Sequence, residues 1–381
     1  MPELYLLLMK MSLADETPSA LAARHAIAGL SYQHLGQHKT AAMHQTKSLR
    51  ALQTVIGRLA AGDLEATQAL RAMAASMLLN IFETLNFDRS PLHWTIFFCG
   101  CKKILNLFHV PHTTYEGDPA LILDWIFYHD TLYKFSERHW YPRHPRLVQL
   151  AKQEKIISKA KLSPMRHIIL PITGCSLHLL VLLSQIVDAV HDRTDPRHLS
   201  PSHLATIHSL EQQLSALTQL PSNRISAALN ADDNKHAHEP AAGLPPEESA
   251  ETRQAELYRL AAHIYLLRVA RAAPPTDPTV LALVDKALDL LRRSSPGCSR
   301  PWPLFVVALE ARTDAQRRVV SDALRDGLAR RPLGNLQIVR RMVHAAWVQI
   351  DLHAESGTGE DVMGVYNTVD PEETYEEMKV K

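Results

Sequence analysis

Histidine is the residue with the most chemical potential in this chain, since 21 of its 381 residues are histidines. His34 and His38 are four residues apart in a helical stretch, which places both on one helix face, as in half of a zinc site. The glutamate of an H-E-x-x-H motif is missing, because Leu35 follows His34. Such pairs arise by chance among so many histidines, so we expect solvated or half-buried side chains rather than metal ligands. The other near pairs are His109/His112, His203/His208 and His236/His238.

Cysteine is the second candidate for chemistry, and the chain contains four: Cys99, Cys101, Cys175 and Cys298. Only one residue separates Cys99 from Cys101, and no further cysteine pair completes a tetrahedral metal site. Cys175 lies near an expected helix start, where the helix dipole can lower a thiol pKa. No histidine stands at a recognisable spacing from it, so we expect Cys175 to be buried and structural. So few cysteines in so long a chain favour a reducing compartment over a disulfide framework.

The motifs of the common nucleotide-binding and hydrolytic enzymes are absent. The sequence contains no G-x-G-x-x-G, no G-x-x-x-x-G-K-[ST] and no G-x-S-x-G, so we expect no catalysis. Residues 138–146 (RHWYPRHPR) mix basic and aromatic side chains, a combination that can hold nucleic acid. The whole chain has 41 basic and 40 acidic residues, however, and this neutrality argues against direct DNA binding.

The elements that must position these residues are predicted to be helices. Only 14 glycines are present, which disfavours a many-stranded β fold with its glycine-rich turns. Apolar residues recur at helical spacing, as at Leu281, Val284, Leu288 and Leu291. The sequence therefore predicts an all-α fold, an irregular multi-helix bundle of α-α superhelix-like type.

Helix starts are predicted where a capping residue precedes proline, because the cap accepts a free backbone N–H and proline lacks one. The four starts predicted in this way are Ser90-Pro91, Asp118-Pro119, Ser200-Pro201 and Asp277-Pro278, while Ser163-Pro164 is ambiguous. Thr313 and Gln316 have the spacing of a capping box.

Three segments set the predicted domain limits. Residues 168–190 (IILPITGCSLHLLVLLSQIVDAV) are the most membrane-like, but Pro171 and Gly174 interrupt the roughly 20 apolar residues that a membrane span needs. We expect instead a buried helix that starts after Gly174, and no membrane contact. Residues 221–252 are poor in large apolar residues and predict a flexible insertion, and residues 354–381 predict an acidic disordered tail. We therefore predict one helical domain over residues 1–353.

Several segments, taken in order, resemble one family, the fungal-specific transcription factor domain of zinc-cluster regulators. These segments are residues 20–52, 72–82 (AMAASMLLNIF), 94–105 (WTIFFCGCKKIL), 124–132 (DWIFYHDTL), and Gly174-Cys175 with the helix after them. The late part is the most specific, where LYRLAAHIYLL at 257–267 leads to WPLF at 302–305 and then to a helix ending in AWVQID at 346–351. The residues that carry the resemblance are Trp94, Gly174, Cys175, Trp302, Pro303, Phe305, Glu310, Ala311, Arg317, Trp347 and Asp351.

These residues suit structural roles. Pro303 fits a first helical turn, Trp302 can staple the helix entry, and Trp347 can anchor a core. We further predict that Glu310 and Arg317 form a charged pair between neighbouring helices.

The resemblance implies a fungal transcriptional regulator that works in the nucleus. It implies partners in the transcription machinery or another regulator protein, a small-molecule effector as a further ligand, and homodimers as a further option. The family's N-terminal zinc cluster needs six cysteines, whereas this chain has four and none before Cys99. We therefore expect neither zinc nor any other cofactor here, and DNA contacts only from a module absent from this chain.

Two other functions stay open at this stage. Residues 30–49 resemble one tetratricopeptide unit, which allows a peptide-binding helical scaffold, although no second copy follows at a period of about 34 residues. The histidine content allows, as a third reading, a metal-dependent hydrolase. Stoichiometric zinc in the purified protein would indicate that enzyme.

Overall fold

The structure is a computed structural model of the chain. It describes residues 2–85, 93–107, 117–140, 166–222, 249–293, 300–330, 334–356, 365–367, 369 and 371. These residues form thirteen α-helices, one π-helical segment and one hairpin of two short strands. The predicted all-α fold is confirmed.

The described residues cluster into two compact units. The first unit comprises residues 1–163, 333–342 and 367–381, and the second comprises residues 164–332 and 343–366. This division into two units does not test the prediction of a single domain over residues 1–353, which stays a prediction.

The first unit contains six complete helices. They are α1 (Pro2–Leu13), α2 (Pro18–His34), α3 (His38–Ala60), α4 (Ala66–Leu85), α5 (Trp94–Leu107) and α6 (Asp118–His139). Helix α2 packs along α3 and α4 through small side chains, of which Ala22 and Ala26 are fully buried. A Cβ atom at Gly29 would lie 3.5 Å from the carbonyl oxygen of Ala41, so the α2 and α3 backbones approach closely there. Helices α2 and α3 therefore form a helical hairpin over the segment that resembles one tetratricopeptide unit.

The second unit surrounds one central helix, α9 (Ala250–Tyr265), which continues as the π-helical segment Leu266–Ala270. Around it lie the hairpin β1 (Ile169–Leu170) and β2 (Cys175–Ser176), and the helices α7 (Leu177–Asp188), α8 (Pro201–Ala216), α10 (Pro278–Arg293) and α11 (Pro301–Leu309). Helix α12 (Asp314–Arg330) packs on α10 and α11. The last helix, α13 (Gly334–Ser356), contributes its first residues to the first unit and the remainder to the second.

Local capping explains where several of these helices begin. The Ser200 side chain accepts a hydrogen bond from the His203 N–H at the start of α8, and Asp277 accepts from the N–H of Thr279 at 2.8 Å at the start of α10. Thr313 and Gln316 exchange the two bonds of a capping box before α12. The start predicted at Asp118 is one residue late, because Gly117 occupies the N-cap position of α6. The starts at Ser90-Pro91 and Ser163-Pro164 lie outside the described residues.

The segment that looked membrane-like is a buried helix of the second unit, as predicted. Its helix, α7, begins directly after Ser176, whose side chain accepts the N–H of Leu179 at 3.3 Å. The residues before it form the β1–β2 hairpin, which the helical prediction did not include. None of the helices in the described part of the chain combines the length and apolar composition that a membrane crossing requires.

Two predicted boundaries differ from the structure. Helix α9 starts at Ala250, inside the predicted insertion 221–252, because Ser249 caps it by accepting the Thr252 N–H. Residues 223–248, the remainder of that insertion, lie outside the described part of the chain. The predicted tail 354–381 is wrong for residues 365–367, which are helical, because Tyr366 is fully buried against Tyr265 and Phe305.

Gly174 provides a test of the hairpin turn. Its φ of +75° favours glycine, and an added Cβ would lie 3.1 Å from Nε of Arg300 and 3.2 Å from Cγ of Gln254. Gly36 has a similar φ of +71°, but an added Cβ there meets nothing within 4 Å. We expect Gly174→Ala to lower the free energy of unfolding by about 2–3 kcal/mol and Gly36→Ala by about 1 kcal/mol. Urea denaturation would measure both, and equal losses would contradict the close contact at Gly174.

Candidate functional site

The most deeply buried charges of the second unit are Arg268 and Glu310. Nε of Arg268 lies 2.9 Å from each carboxylate oxygen of Glu310, and the two side chains are 0% and 3% exposed. Arg268 also donates a hydrogen bond to the carbonyl oxygen of Ala273, and Arg312 approaches Glu310 at 3.4 Å. Ionised groups at this depth are stable only when they are paired and hydrogen-bonded, and these contacts meet that condition.

Irregular backbone brings these groups together. Arg268 lies in the π-helical segment at the end of α9, and Ala272 adopts a positive φ of 56° just after it. A π turn and a positive φ at a non-glycine residue are unfavourable on their own, so the surrounding contacts must maintain them. Glu310 follows directly after α11, where it is the C-cap residue.

The predicted pair between Glu310 and Arg317 is wrong. Glu310 pairs with Arg268, while Arg317 donates to both carboxylate oxygens of Asp351, at 2.8 and 2.6 Å. This hydrogen bonding lowers the pKa of Asp351 and raises that of Arg317. The two residues have different partners because they lie in different places. Glu310 precedes α12, which starts at the capping box of Thr313, whereas Arg317 lies within α12 and reaches α13.

Trp347 anchors α13, as predicted. Its indole N–H donates to the carbonyl oxygen of Ala308 at 2.8 Å, near the end of α11, and the same oxygen also accepts the Ala311 N–H at 3.1 Å. The guanidinium of Arg317 lies 5.3 Å from the Trp347 ring centroid, a cation–π distance. Arg317, Trp347 and Asp351 therefore form one contact that joins α11, α12 and α13 within the second unit.

The WPLF stretch at residues 302–305 also lies in the core. Trp302 stacks on Tyr258 and meets the edge of Tyr265, while Phe305 meets the edge of Tyr366. Pro303 lies in the first turn of α11, as predicted, and Ala311 is fully buried. Burial raises the pKa of the Tyr366 hydroxyl well above its usual value, so this ring stays neutral.

The remaining signature residues occupy two places. Gly174 and Cys175 form the turn and first position of β2, where burial raises the pKa of Cys175 to about 12, so this thiol is structural and not a nucleophile. Trp94 lies in the first unit and meets the rings of Phe98 and Tyr133. All eleven signature residues are described: ten of them lie in the second unit, and Trp94 lies in the first.

A cleft lies between α7 and α8 in the second unit, and its volume is about 730 Å³. Gln185 and Asp188 line it from α7, and hydroxyl and amide side chains of α8 line the other wall. The α8 side chains are Ser202, Thr206, Ser209 and Gln213. A volume of this size suits a small molecule, and the lining offers both apolar surface and hydrogen-bonding side chains.

His203 is one of the residues that line this cleft. Its Nδ1 accepts the N–H of Leu199 at 3.0 Å, and its Nε2 lies 2.7 Å from the carbonyl oxygen of Ala189. Because Nδ1 is an acceptor, Nε2 must carry the proton and donate to Ala189. The ring is thus a neutral tautomer that joins the end of α7 to the start of α8, and it is not paired with His208, whose partner is Gln212.

Histidine does not form a metal centre in the described part of the chain, where no three His, Cys, Asp or Glu side chains are grouped to hold an ion. His38 contacts Gln33. Among the described residues, ring nitrogens face each other in His25 with His44 and in His167 with His178, and the His203 ring also lies against the rings of His191 and His198. The pairs His109/His112 and His236/His238, Cys298 and residues 141–146 of the basic stretch lie outside the described residues.

Arg268 is a functional-site residue outside the predicted set, although its sequence context carries a signal. It is the one charged residue in the run LAAHIYLLRVA at 260–270. A single arginine within an apolar helical run indicates a buried charge that requires a partner.

Comparison with known proteins adds the family. The model of the fungal specific transcription factor domain matches residues 5–370. This chain belongs to that family. The fungal domain is also similar to "Transcription factor iacI" of Pestalotiopsis fici, at 27% identity over 359 residues that cover 91% of this chain and 81% of that protein. No solved structure is significantly similar to it.

The resemblance stated from the sequence is therefore confirmed, and the chain is a transcriptional regulator of the fungal type. The match extends past residue 353 to residue 370, which agrees with the burial of Tyr366 in the second unit. The tetratricopeptide scaffold has no comparable support.

The buried pair of this fungal domain gives a second prediction. Glu310→Ala removes the buried carboxylate that the Arg268 guanidinium binds, so we expect a loss of about 3–5 kcal/mol in the free energy of unfolding. Asp351→Ala removes the partner of Arg317 from an exposed site and should reduce that free energy by about 1 kcal/mol or less. Urea denaturation would measure both losses.

A double variant tests the cause of that loss. Arg268→Met combined with Glu310→Leu removes both charges, so it should be more stable than Glu310→Ala alone. A double variant at least as unstable as Glu310→Ala would show that the uncompensated charge is not the cause.

His263 on α9 gives a third prediction, on pH. Its ring is 7% exposed, neither ring nitrogen has a hydrogen-bond partner in the described structure, and the nearest carboxylate, Glu211, is 3.7 Å away. Burial lowers the pKa of His263, although Glu211 acts in the opposite direction. The unfolded chain therefore binds this proton more readily, and the stability contributed by neutral His263 is present above pH 6.5 and lost as the pH falls below it.

We expect His263→Leu to reduce the difference in unfolding free energy between pH 7.5 and pH 5.5. Exposed His208→Leu is the matched control and should leave that difference unchanged. Denaturation at the two pH values would measure it, and an unchanged difference in His263→Leu would exclude this histidine as a source of acid sensitivity.

Proposed function

We propose that this chain is the regulatory domain of a nuclear transcriptional regulator. In this proposal it acts by binding a small-molecule effector or a partner protein, which is a component of the transcription machinery, another regulator or a second copy. It performs no catalysis, requires no cofactor and makes no DNA contacts of its own.

The cleft between α7 and α8 is the observation that carries this proposal. Its hydroxyl and amide side chains can recognise a polar metabolite, and both helices also contact the π-helical segment that holds Arg268. A ligand in the cleft can therefore shift the positions of the helices that pack around the buried core of the unit.

The absence of catalysis is supported by where the titratable signature residues lie. Glu310, Arg317 and Asp351 are each bound to another side chain, and Cys175 is buried with a raised pKa. A catalytic group needs access to a substrate and a pKa near the working pH, and these groups lack that combination.

The amino-acid composition supports the proposal that a separate module binds DNA. A binuclear zinc cluster is built from six cysteines, whereas these 381 residues contain four. Cys99, Cys101 and Cys175 are buried as free thiols, so they belong to the fold. The formal net charge of +1 also gives little attraction to DNA phosphates.

A reporter experiment tests the proposal. The full chain is fused to an unrelated DNA-binding domain in a fungal host, and a reporter with the matching operator is measured. We expect the fusion to raise or lower reporter expression several-fold relative to the DNA-binding domain alone. No change in expression, or retardation of DNA fragments by the purified chain without the fusion partner, would contradict the proposal.

A cleft-filling variant tests the role of the α7–α8 cleft. Ala205→Trp places a large ring among the cleft residues, whereas Ala282→Trp places the same ring on the exposed face of α10. We expect Ala205→Trp to change the reporter response several-fold and Ala282→Trp to leave it unchanged, at equal protein levels and melting temperatures. Identical responses of the two variants would remove the cleft from the proposal.

A further inference from the structure

Helix α1 in the first unit has large apolar residues on two opposite sides. One side packs on α2, α4 and α6, and its buried members are Leu7, Leu8 and Met11. The other side faces solvent, where the side chains of Tyr5, Leu6 and Leu13 are 61%, 62% and 64% exposed. Few large apolar side chains in the described part of the chain are as exposed as these. The solvent-facing side of α1 is therefore a candidate contact surface.

The apolar residues of this side form one strip along the helix. At 100° per residue, Leu6 and Leu13 lie about 20° apart around the axis, in the middle of the exposed side. Met9 and Tyr5 lie to one side of that middle line, at about 60° and 100° from Leu6. The strip therefore has an apolar edge, which is formed by Tyr5 and Met9.

The two charged residues of α1 form the opposite edge of the strip. Lys10 and Glu3 lie at about 40° and 60° from Leu6, in the direction away from Tyr5. They are seven residues apart, or about 10 Å along the axis, so the level midway between them is next to Leu6. Glu3 is exposed, and Lys10 is 77% exposed although its Nζ lies 3.3 Å from a carboxylate oxygen of Asp118.

This arrangement is self-complementary in an antiparallel pair of α1 helices. A two-fold axis that crosses the strip beside Leu6 places the Glu3 of each copy opposite the Lys10 of the other, on the same edge. The two copies of Leu6 then meet at the axis, and Tyr5 lies beside Met9 of the second copy on the apolar edge. A parallel two-fold pair lacks this match, because the charged edge of each helix would face the apolar edge of the other.

We propose that the exposed side of α1 binds the same side of α1 in a second copy of this chain, in antiparallel orientation. Its contact residues are Glu3, Tyr5, Leu6, Met9, Lys10 and Leu13. A second copy is one of the partners in the proposed function, so the place of this dimer in regulation rests on that proposal. A membrane surface fits α1 less well, because helices that lie on membranes are rich in Lys and Arg, whereas α1 has one lysine and one glutamate.

Analytical ultracentrifugation of the full chain tests this proposal. A contact made by one helix of 12 residues is small for a dimer interface, so we expect the weight-average mass to rise toward twice that of the monomer over about 1–200 μM. Leu6→Gln should weaken association at least about tenfold, because it removes the apolar contact at the axis. Leu281→Gln changes a leucine of α10 that is 45% exposed and should leave association unchanged.

Two charge variants test the facing pairs. Glu3→Lys alone and Lys10→Glu alone should each weaken association at least about tenfold, because each makes both facing pairs like-charged. An equimolar mixture of the two variants should associate at least as well as the unaltered chain, because each dimer then joins two lysines to two glutamates. Lys286→Glu, on the exposed side of α10, is the matched control and should have no effect.

Cross-linking tests the antiparallel orientation. In the proposed dimer the two copies of Leu6 face each other, so Leu6→Cys should form an intermolecular disulfide under mild oxidation. The two copies of Leu13 lie at opposite ends of the contact, about 20 Å apart, so Leu13→Cys should not cross-link. Cross-linking of both variants would contradict the antiparallel pair and indicate a parallel one. The unaltered chain is the control for its own cysteines.

The outcomes that overturn the proposal are distinct from those of the reporter assay. A monomer at every concentration, a dimer that Leu6→Gln does not weaken, or charge variants that fail to associate when mixed would exclude the α1 contact. Binding of the chain to anionic lipid vesicles without self-association would assign this side to a membrane instead. Circular dichroism and melting temperature would establish that each variant is folded. A dimer with no reporter response would reject the regulatory function alone, and a monomer with a reporter response would reject the α1 contact alone.

Discussion

The second unit depends on the ion pair between Arg268 and Glu310. Both side chains are buried, so each would be strongly unfavourable without the other. The Arg268 guanidinium must donate hydrogen bonds to a carboxylate and to a backbone carbonyl at the same time. Ala273 provides that carbonyl. This requirement accounts for the irregular backbone, because the π-helical segment and the positive φ of Ala272 bring all three groups into contact.

The aromatic residues of the unit enclose this pair. Tyr366 lies against Tyr265 and Phe305, and the nearby charge of Glu310 adds to burial in keeping its hydroxyl protonated. Trp302 covers α9 on the side of Tyr258. Exclusion of water strengthens the attraction between the two charges and also raises the penalty for separating them. Conserving the shape of this enclosure is therefore a condition for burying the pair.

Much of the fold could be predicted from sequence because its signals are local. Helical spacing, the caps at Ser200 and Asp277 and the capping box at Thr313 each depend on residues within one turn, and the structure has all of them. The charged pairing failed because a salt bridge depends on tertiary position. Glu310 and Arg317 are two turns apart in sequence, yet each finds a partner more than 30 residues away. The α7–α8 cleft could not be predicted either, since its walls are ordinary solvent-facing polar residues until the two helices pack.

The placement of the signature residues limits where regulation can occur. Trp302, Phe305, Glu310 and Trp347 are buried, so their roles in this chain are structural. In the proposed regulatory function, an effector or partner would then bind at surface residues, which tolerate change. The α7–α8 cleft meets this condition and has a physical route to the core, because α7 and α8 both contact the π-helical segment. A ligand that binds one arrangement of these helices more tightly than another would shift the unit toward that arrangement. The hydrogen bonds of His203 connect the end of α7 to the start of α8, so such a shift must either preserve or break them.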